Sequence, residues 1–225
     1  MFSSSRIDIN RLLGELLDRI RAILGGEVLA VYLYGSLVAG DFDPDVSDID
    51  LLVVTSAELD GRSSDGLKAM HEDFARQHAG WRDRIEVAYV SAEGLRTFKH
   101  RSSKIGIISP GEPFHSKEAG VDWLINWYVV REQGVPLFGP APELFIEEMS
   151  RDEWVRAVRE HMTDGQPFSS HQRRDIPGIR GLDSVQGTVC GEALSAGLEA
   201  PGRPLDRGRV SWVGPLDTQR IDLAL

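Results

Sequence analysis

The chain has 225 residues, 41% of them hydrophobic, and a formal net charge of −10 at pH 7. That length can bury a sizeable core in one large or two small domains, while the lack of any run of roughly 18 to 20 apolar residues excludes a membrane-spanning helix. The acidic balance argues against a nucleic-acid backbone as main partner and for cationic small molecules or metal ions, and one cysteine, Cys190, excludes both an intrachain disulfide and a thiolate zinc cluster.

The N-terminal stretch "MFSSSRIDIN" has no apolar core of a signal peptide, so a cytoplasmic protein is expected. Ile9, Leu12, Leu13, Leu16, Leu17, Ile20, Ile23 and Leu24 recur at helical spacing, with Asp8 as a candidate cap and Gly25-Gly26 as the stop. "EVLAVYLYG" reads as a strand halted at Gly35, and "SDIDLLVV" as a second strand entered from an Asp/Pro-rich loop. Leu67, Met70 and Phe74 mark a helix, and "RIEVAYV", residues 84–90, a third strand. From Ser91 to Gly120 the texture of basic and small residues predicts a linker or covering loops. "VDWLINWYVVREQG" is apolar nearly all round and predicts a buried helix stopped by Gly134 and Pro136. Ser150 and Glu153 form a candidate capping box for a helix carrying Trp154, Val155, Val158 and Met162. Nine Gly and five Pro among residues 164–225 predict an irregular tail.

The chemistry concentrates between residues 35 and 86. Side chains alternate along a strand, so Asp48 and Asp50 project to one side while Ile49 and Leu51 point to the other. Two carboxylates held close cannot both stay ionised cheaply unless a proton or a divalent cation intervenes, and an all-oxygen donor set suits magnesium. Glu86 lies on the face of its strand opposite Ile85, Val87 and Tyr89, where it needs a partner; beside Asp48 and Asp50 it would complete a carboxylate patch for two metals, or for metal plus a base. Gly35-Ser36, at a strand-to-helix turn, supplies close backbone approach and a hydroxyl suited to phosphate. Asp41, Asp43 and Asp45 read as loop residues, and the histidines, among them His71, His78 and His115, show no ligand spacing.

Gly35-Ser36, eleven residues and then Asp48-Ile49-Asp50 resembles the signature of the DNA polymerase β-like nucleotidyltransferase superfamily, with Glu86 where such proteins carry a third carboxylate. The wording "YGSLVAGDFDPDVSDIDLLVV" and the later "VVREQGVPLFGPAPELF" are most similar to aminoglycoside adenylyltransferases acting on streptomycin and spectinomycin. The resemblance implies an α/β nucleotidyltransferase domain at 1–105, with a mixed sheet and flanking helices, then a smaller, mainly helical C-terminal domain at 106–163 and a tail at 164–225.

It further implies magnesium-dependent transfer of AMP from ATP to a small-molecule hydroxyl. Asp48 and Asp50, with Glu86, would serve metal and catalysis; Gly35, Ser36 and Ser47 would hold phosphate; Glu86 would accept the hydroxyl proton. Trp123, Trp127 and Tyr128 are candidates for an acceptor cleft, more readily read as core. Lys99, Arg101, Lys104 and Lys117 are candidate phosphate contacts, more readily read as a solvated basic loop. The family's further helices, which cover the nucleotide, have no counterpart in the pattern of 164–225. Two rival expectations are therefore kept: transfer to a protein tyrosine or a tRNA end, and a non-catalytic nucleotide-binding regulatory module.

Overall fold

The computed structural model describes residues 3–156. Its first helix, α1 (Ser3–Leu24), begins ahead of Asp8, so Asp8 is not its cap but sits within it and pairs with Arg11 one turn on. Gly25, at φ 55°, ends the helix and a short 3-10 turn leads into β1 (Val28–Tyr34). There follow α2 (Ser36–Ala39), β2 (Ile49–Thr55), α3 (Gly61–Gln77), β3 (Ile85–Ser91) and α4 (Ala92–Thr97). The chain continues with β4 (Ser103–Ser109), β5 (Glu112–Ala119), α5 (Leu124–Gln133) and β6 (Val135–Phe138).

The six strands of the described residues form one sheet in the order β5-β4-β3-β2-β1-β6. Only β2 and β3 run parallel, joined through α3, and the other pairs are antiparallel. Each face of the sheet is apolar and each is covered. On the first, Val31, Leu33, Ile49, Leu51, Val53, Val87 and Tyr89 pack against the stripes of α1 and α3, including Leu13, Leu16, Ile20, Leu67 and Phe74. On the second, Tyr32, Leu52, Val54, Ala88 and Val90 meet Leu95 and Phe98 beside α4, Trp127 and Val130 of α5, and Phe145, Ile146 and Met149. Burying both faces explains why these strands read as nearly continuous hydrophobic runs.

Two expectations change here. Residues 103–119, read as linker or covering loops, are the β4–β5 hairpin, and the boundary expected at residue 105 falls inside β4. The described part of 106–163 is built into the same sheet and second core, through β5, α5 and β6, rather than into a helical unit of its own. Pro136, read as a stop signal, lies in β6 opposite Tyr32. An edge strand tolerates proline because its missing N–H would face away from the ladder. The capping box does form: Ser150 N–H donates to Glu153 Oε2 at 2.7 Å, Glu153 N–H donates to Ser150 Oγ at 3.2 Å, and helical turns follow at 151–156. Val158, Met162, Cys190 and the tail at 164–225 lie outside the described residues. No helix among the described residues is long and apolar enough to cross a membrane.

Candidate active site

The antiparallel β1–β2 pair and the parallel β2–β3 pair place Tyr34, Asp50 and Glu86 in one row, as successive cross-strand partners. Strand alternation puts this row on the face that Leu52 and Val54 share with Tyr32, Ala88 and Val90, so the carboxylates occupy the end of an otherwise apolar surface. Asp50 is only 4% exposed and Glu86 half-buried. Residues opposite one another on neighbouring strands have their Cβ atoms roughly 5 Å apart, which brings the two side chains within reach of a shared ion or ligand.

Gly35 caps this row. Its φ is 75°, and a Cβ added there would lie 2.1 Å from Asp50 Oδ2, so only glycine lets the backbone pass over the carboxylate. The Gly35 carbonyl then accepts from the amides of Val38 (3.1 Å) and Ala39 (3.0 Å), opening α2 as the turn geometry predicts. Ser36 is 7% exposed, and its Oγ, the first side-chain oxygen of that helix, makes no hydrogen bond among the described residues. A buried hydroxyl without a partner is costly in a native site, and a ligand oxygen is a natural complement.

Asp48 is the last residue of the loop before β2 and is 3% exposed. Ser47, expected to hold phosphate, is engaged within the loop: its Oγ accepts from the Asp43 amide at 2.9 Å, and its own amide donates to the Asp43 carbonyl at 2.8 Å. Asp43 Oδ1 in turn accepts from the Asp45 amide at 2.9 Å, so Asp43 shapes the loop, as its sequence reading anticipates. Among the described residues no group of three or more His, Cys, Asp or Glu side chains could hold a metal ion. Asp50 and Glu86 are direct cross-strand partners, and Asp48 lies two residues before Asp50. What remains is an all-oxygen set, two buried aspartates with Glu86 alongside. That suits magnesium, which commonly takes one or two carboxylates and fills its octahedron with water and substrate phosphates.

The other expectations separate cleanly. Trp127 is 2% exposed and lies in the second core beside Phe98, not in a cleft, while Trp123 and Tyr128 pack against that core's margin. Lys99 Nζ donates to the Glu148 carbonyl at 2.7 Å and pairs with Glu153 at 3.2 Å, Arg101 pairs with Glu93, and Lys117 lies over the Trp123 ring. One residue escaped the sequence reading altogether. Arg84 sits two residues before Glu86, with its guanidinium over Trp81 and bonded to the loop that carries Asp48. Its contacts span some forty positions, so no local pattern announces them.

Comparison with known proteins bears on the fold. Residues 13–108 match the family model described as "Nucleotidyltransferase domain". Two curated relatives, the aminoglycoside (3'') (9) adenylyltransferases of Shigella flexneri and Escherichia coli, are each 26% identical over 174 residues. Those alignments cover 69% of this chain but only 63% and 62% of the relatives, so the chain spans less than two thirds of their length. A solved structure of spectinomycin adenyltransferase from Enterococcus faecialis with ATP and spectinomycin superposes with a TM-score of 0.57 at 18% identity. It covers 68% of this chain and 66% of that one, a likeness of fold. The Gly35-Ser36 turn, Asp48, Asp50 and Glu86 all fall within the segment, residues 13–108, that is similar to the nucleotidyltransferase family model.

Proposed function

We propose that the protein transfers a nucleoside monophosphate, AMP from ATP, to a hydroxyl of a small cationic acceptor of the aminoglycoside class. The observation that carries this reading is the Asp50–Glu86 row lying directly under the Gly35-Ser36 turn. In this reading Gly35 and Ser36 hold phosphate oxygens, the orphaned Ser36 Oγ donating to one of them. Ser47 contributes by fixing the loop and remains a candidate phosphate contact through its hydroxyl proton. Asp48 and Asp50 would hold magnesium, which supplies neutralisation of triphosphate charge when bound. Glu86 accepts the proton of the acceptor hydroxyl as that oxygen bonds to the α-phosphorus; the bond to the bridging oxygen breaks and pyrophosphate leaves with its electron pair.

The net charge of −10 favours a polycationic acceptor, and the named aminoglycoside relatives support the same class. The test is incubation with α-labelled ATP, magnesium and streptomycin or spectinomycin. Labelled drug is expected. Label on protein or RNA would move the acceptor to a macromolecule, and bound but unconverted ATP would make the chain a regulatory module. Glu86→Gln should keep ATP binding and lower turnover by roughly 10²- to 10⁴-fold, the usual contribution of a positioned base. Undiminished turnover in Glu86→Gln or Asp48→Ala would end the transfer reading.

A further inference from the structure

We propose that Arg84 is the positioning residue that sets Asp48 against the Asp50–Glu86 row, by gripping the backbone on both sides of Asp48. The inference rests on the transfer reading and deepens it. On one side, the Arg84 guanidinium donates to the Ser47 carbonyl, through Nε at 2.9 Å and also through Nη2, and Nη2 donates to the Pro44 carbonyl at 2.8 Å. On the other side, the Ile49 amide donates to the Arg84 carbonyl at 3.0 Å. The peptide groups before and after Asp48 are therefore both bonded to a single residue, and that residue lies two positions from Glu86.

The surroundings are built to hold this clasp. Asp83 is the one non-glycine residue at positive φ (59°) among the described residues, and its left-handed turn immediately precedes Arg84. The Arg84 amide donates to the Trp81 carbonyl at 3.2 Å, the guanidinium lies 4.7 Å from the Trp81 ring centre, and Trp81 stacks on Phe42 of the loop at 6.4 Å. Aromatic floor and carbonyl acceptors together leave the planar fork few other orientations. A planar guanidinium presents its donors in a fixed fork that fits both carbonyls, whereas a lysine ammonium, with three rotatable donors on a flexible stem, holds neither in a set direction. Asp48 would otherwise sit at the end of a loop with four aspartates, Asp41, Asp43, Asp45 and Asp48, whose mutual repulsion favours spreading.

The test uses Mn²⁺ alone as probe, with the full chain, and reads its affinity by electron paramagnetic resonance alongside amide exchange at residues 45–49. Asp48→Asn defines the loss expected when the ligand itself is removed. Arg84→Met and Arg84→Lys should both weaken Mn²⁺ binding on the order of tenfold or more, the usual cost of losing a group that orients a ligand, and should speed exchange of the loop amides at 45–48, while the Ile49 amide keeps its main-chain acceptor. The urea midpoint should stay close to that of the wild type. Arg84→Lys keeps the charge, so wild-type affinity in that variant overturns the clasp in favour of simple electrostatics. Unchanged loop exchange in both variants overturns it as well. If Asp48→Asn binds Mn²⁺ as tightly as the wild type, the transfer reading fails and the clasp loses its role. If Asp48→Asn abolishes binding while the Arg84 variants do not, only the clasp fails.

Discussion

Gly35 shows how much one missing methyl can matter. A Cβ at this position would overlap Asp50 Oδ2 and would also have to adopt a φ of 75°. Gly35→Ala therefore either displaces Asp50 or opens the turn, and transfer activity should fall by about 100-fold or more for an ångström-scale misplacement, checked by initial rates at saturating ATP. The fold itself should survive, because the strain is confined to one turn at the end of β1. His71 gives a second residue-scale expectation. Its Nε2 shares a 2.7 Å hydrogen bond with the Tyr89 hydroxyl, its ring stacks on Phe114, and burial pulls its pKa from 6.5 down to about 4. The unfolded chain then binds a proton that the folded one refuses. Stability is complete above pH 6.5 and falls as pH drops toward 4, by about 3 kcal/mol in all. Urea titrations across that window should show the slope, and His71→Phe with Tyr89→Phe should flatten it.

At the scale of elements, ends matter as much as runs. Ser91 closes β3 and caps α4, its buried Oγ accepting from the Gly94 amide at 3.0 Å. Ser91→Ala should cost about 1 to 2 kcal/mol by thermal unfolding, since the cap is lost and the buried Gly94 N–H is left without its acceptor. The strands that build the site were legible from residues alone, because β1, β2 and β3 are buried on both faces and bounded by Gly35, Pro44 and Gly80. The β4–β5 hairpin was not. β5 reads "EPFHSKEA", an edge strand whose charged residues leave no apolar period, so its identity depends on pairing with β4. The start of α1 was misplaced for a related reason: the serines before Asp8 carry no apolar stripe, yet they continue the helix. Within the site, Asp50 and Glu86 were legible through strand parity, which needs only counting. The Arg84 contacts were not, since they depend on where a distant loop lands.

Over the whole molecule, the two cores differ in how local they are. The first is closed by α1 and α3, close in sequence to the strands they cover. The second is closed by α5 and by Phe145, Ile146 and Met149, so the sheet face that carries the candidate site, assembled from residues 28–91, is sealed by chain that arrives much later. β6 repeats the pattern: it borders β1 through Val31↔Phe138 and Leu33↔Val135, and the Tyr32 hydroxyl donates to the Pro140 carbonyl at 2.8 Å.

The segment recognisable by family, residues 13–108, consequently ends inside β4 and is smaller than the unit that folds. Cut out alone, it would leave Tyr32, Leu52, Val54 and Ala88 wet on one side and bare the outer rim of β1 to any passing strand. A fragment of residues 1–108 should accumulate as insoluble aggregate, whereas 1–156 should remain monodisperse in size-exclusion chromatography. On the ribosome the same dependence means that the nascent sheet stays sticky until β6 emerges, so its safe passage depends on the speed of synthesis or on a chaperone.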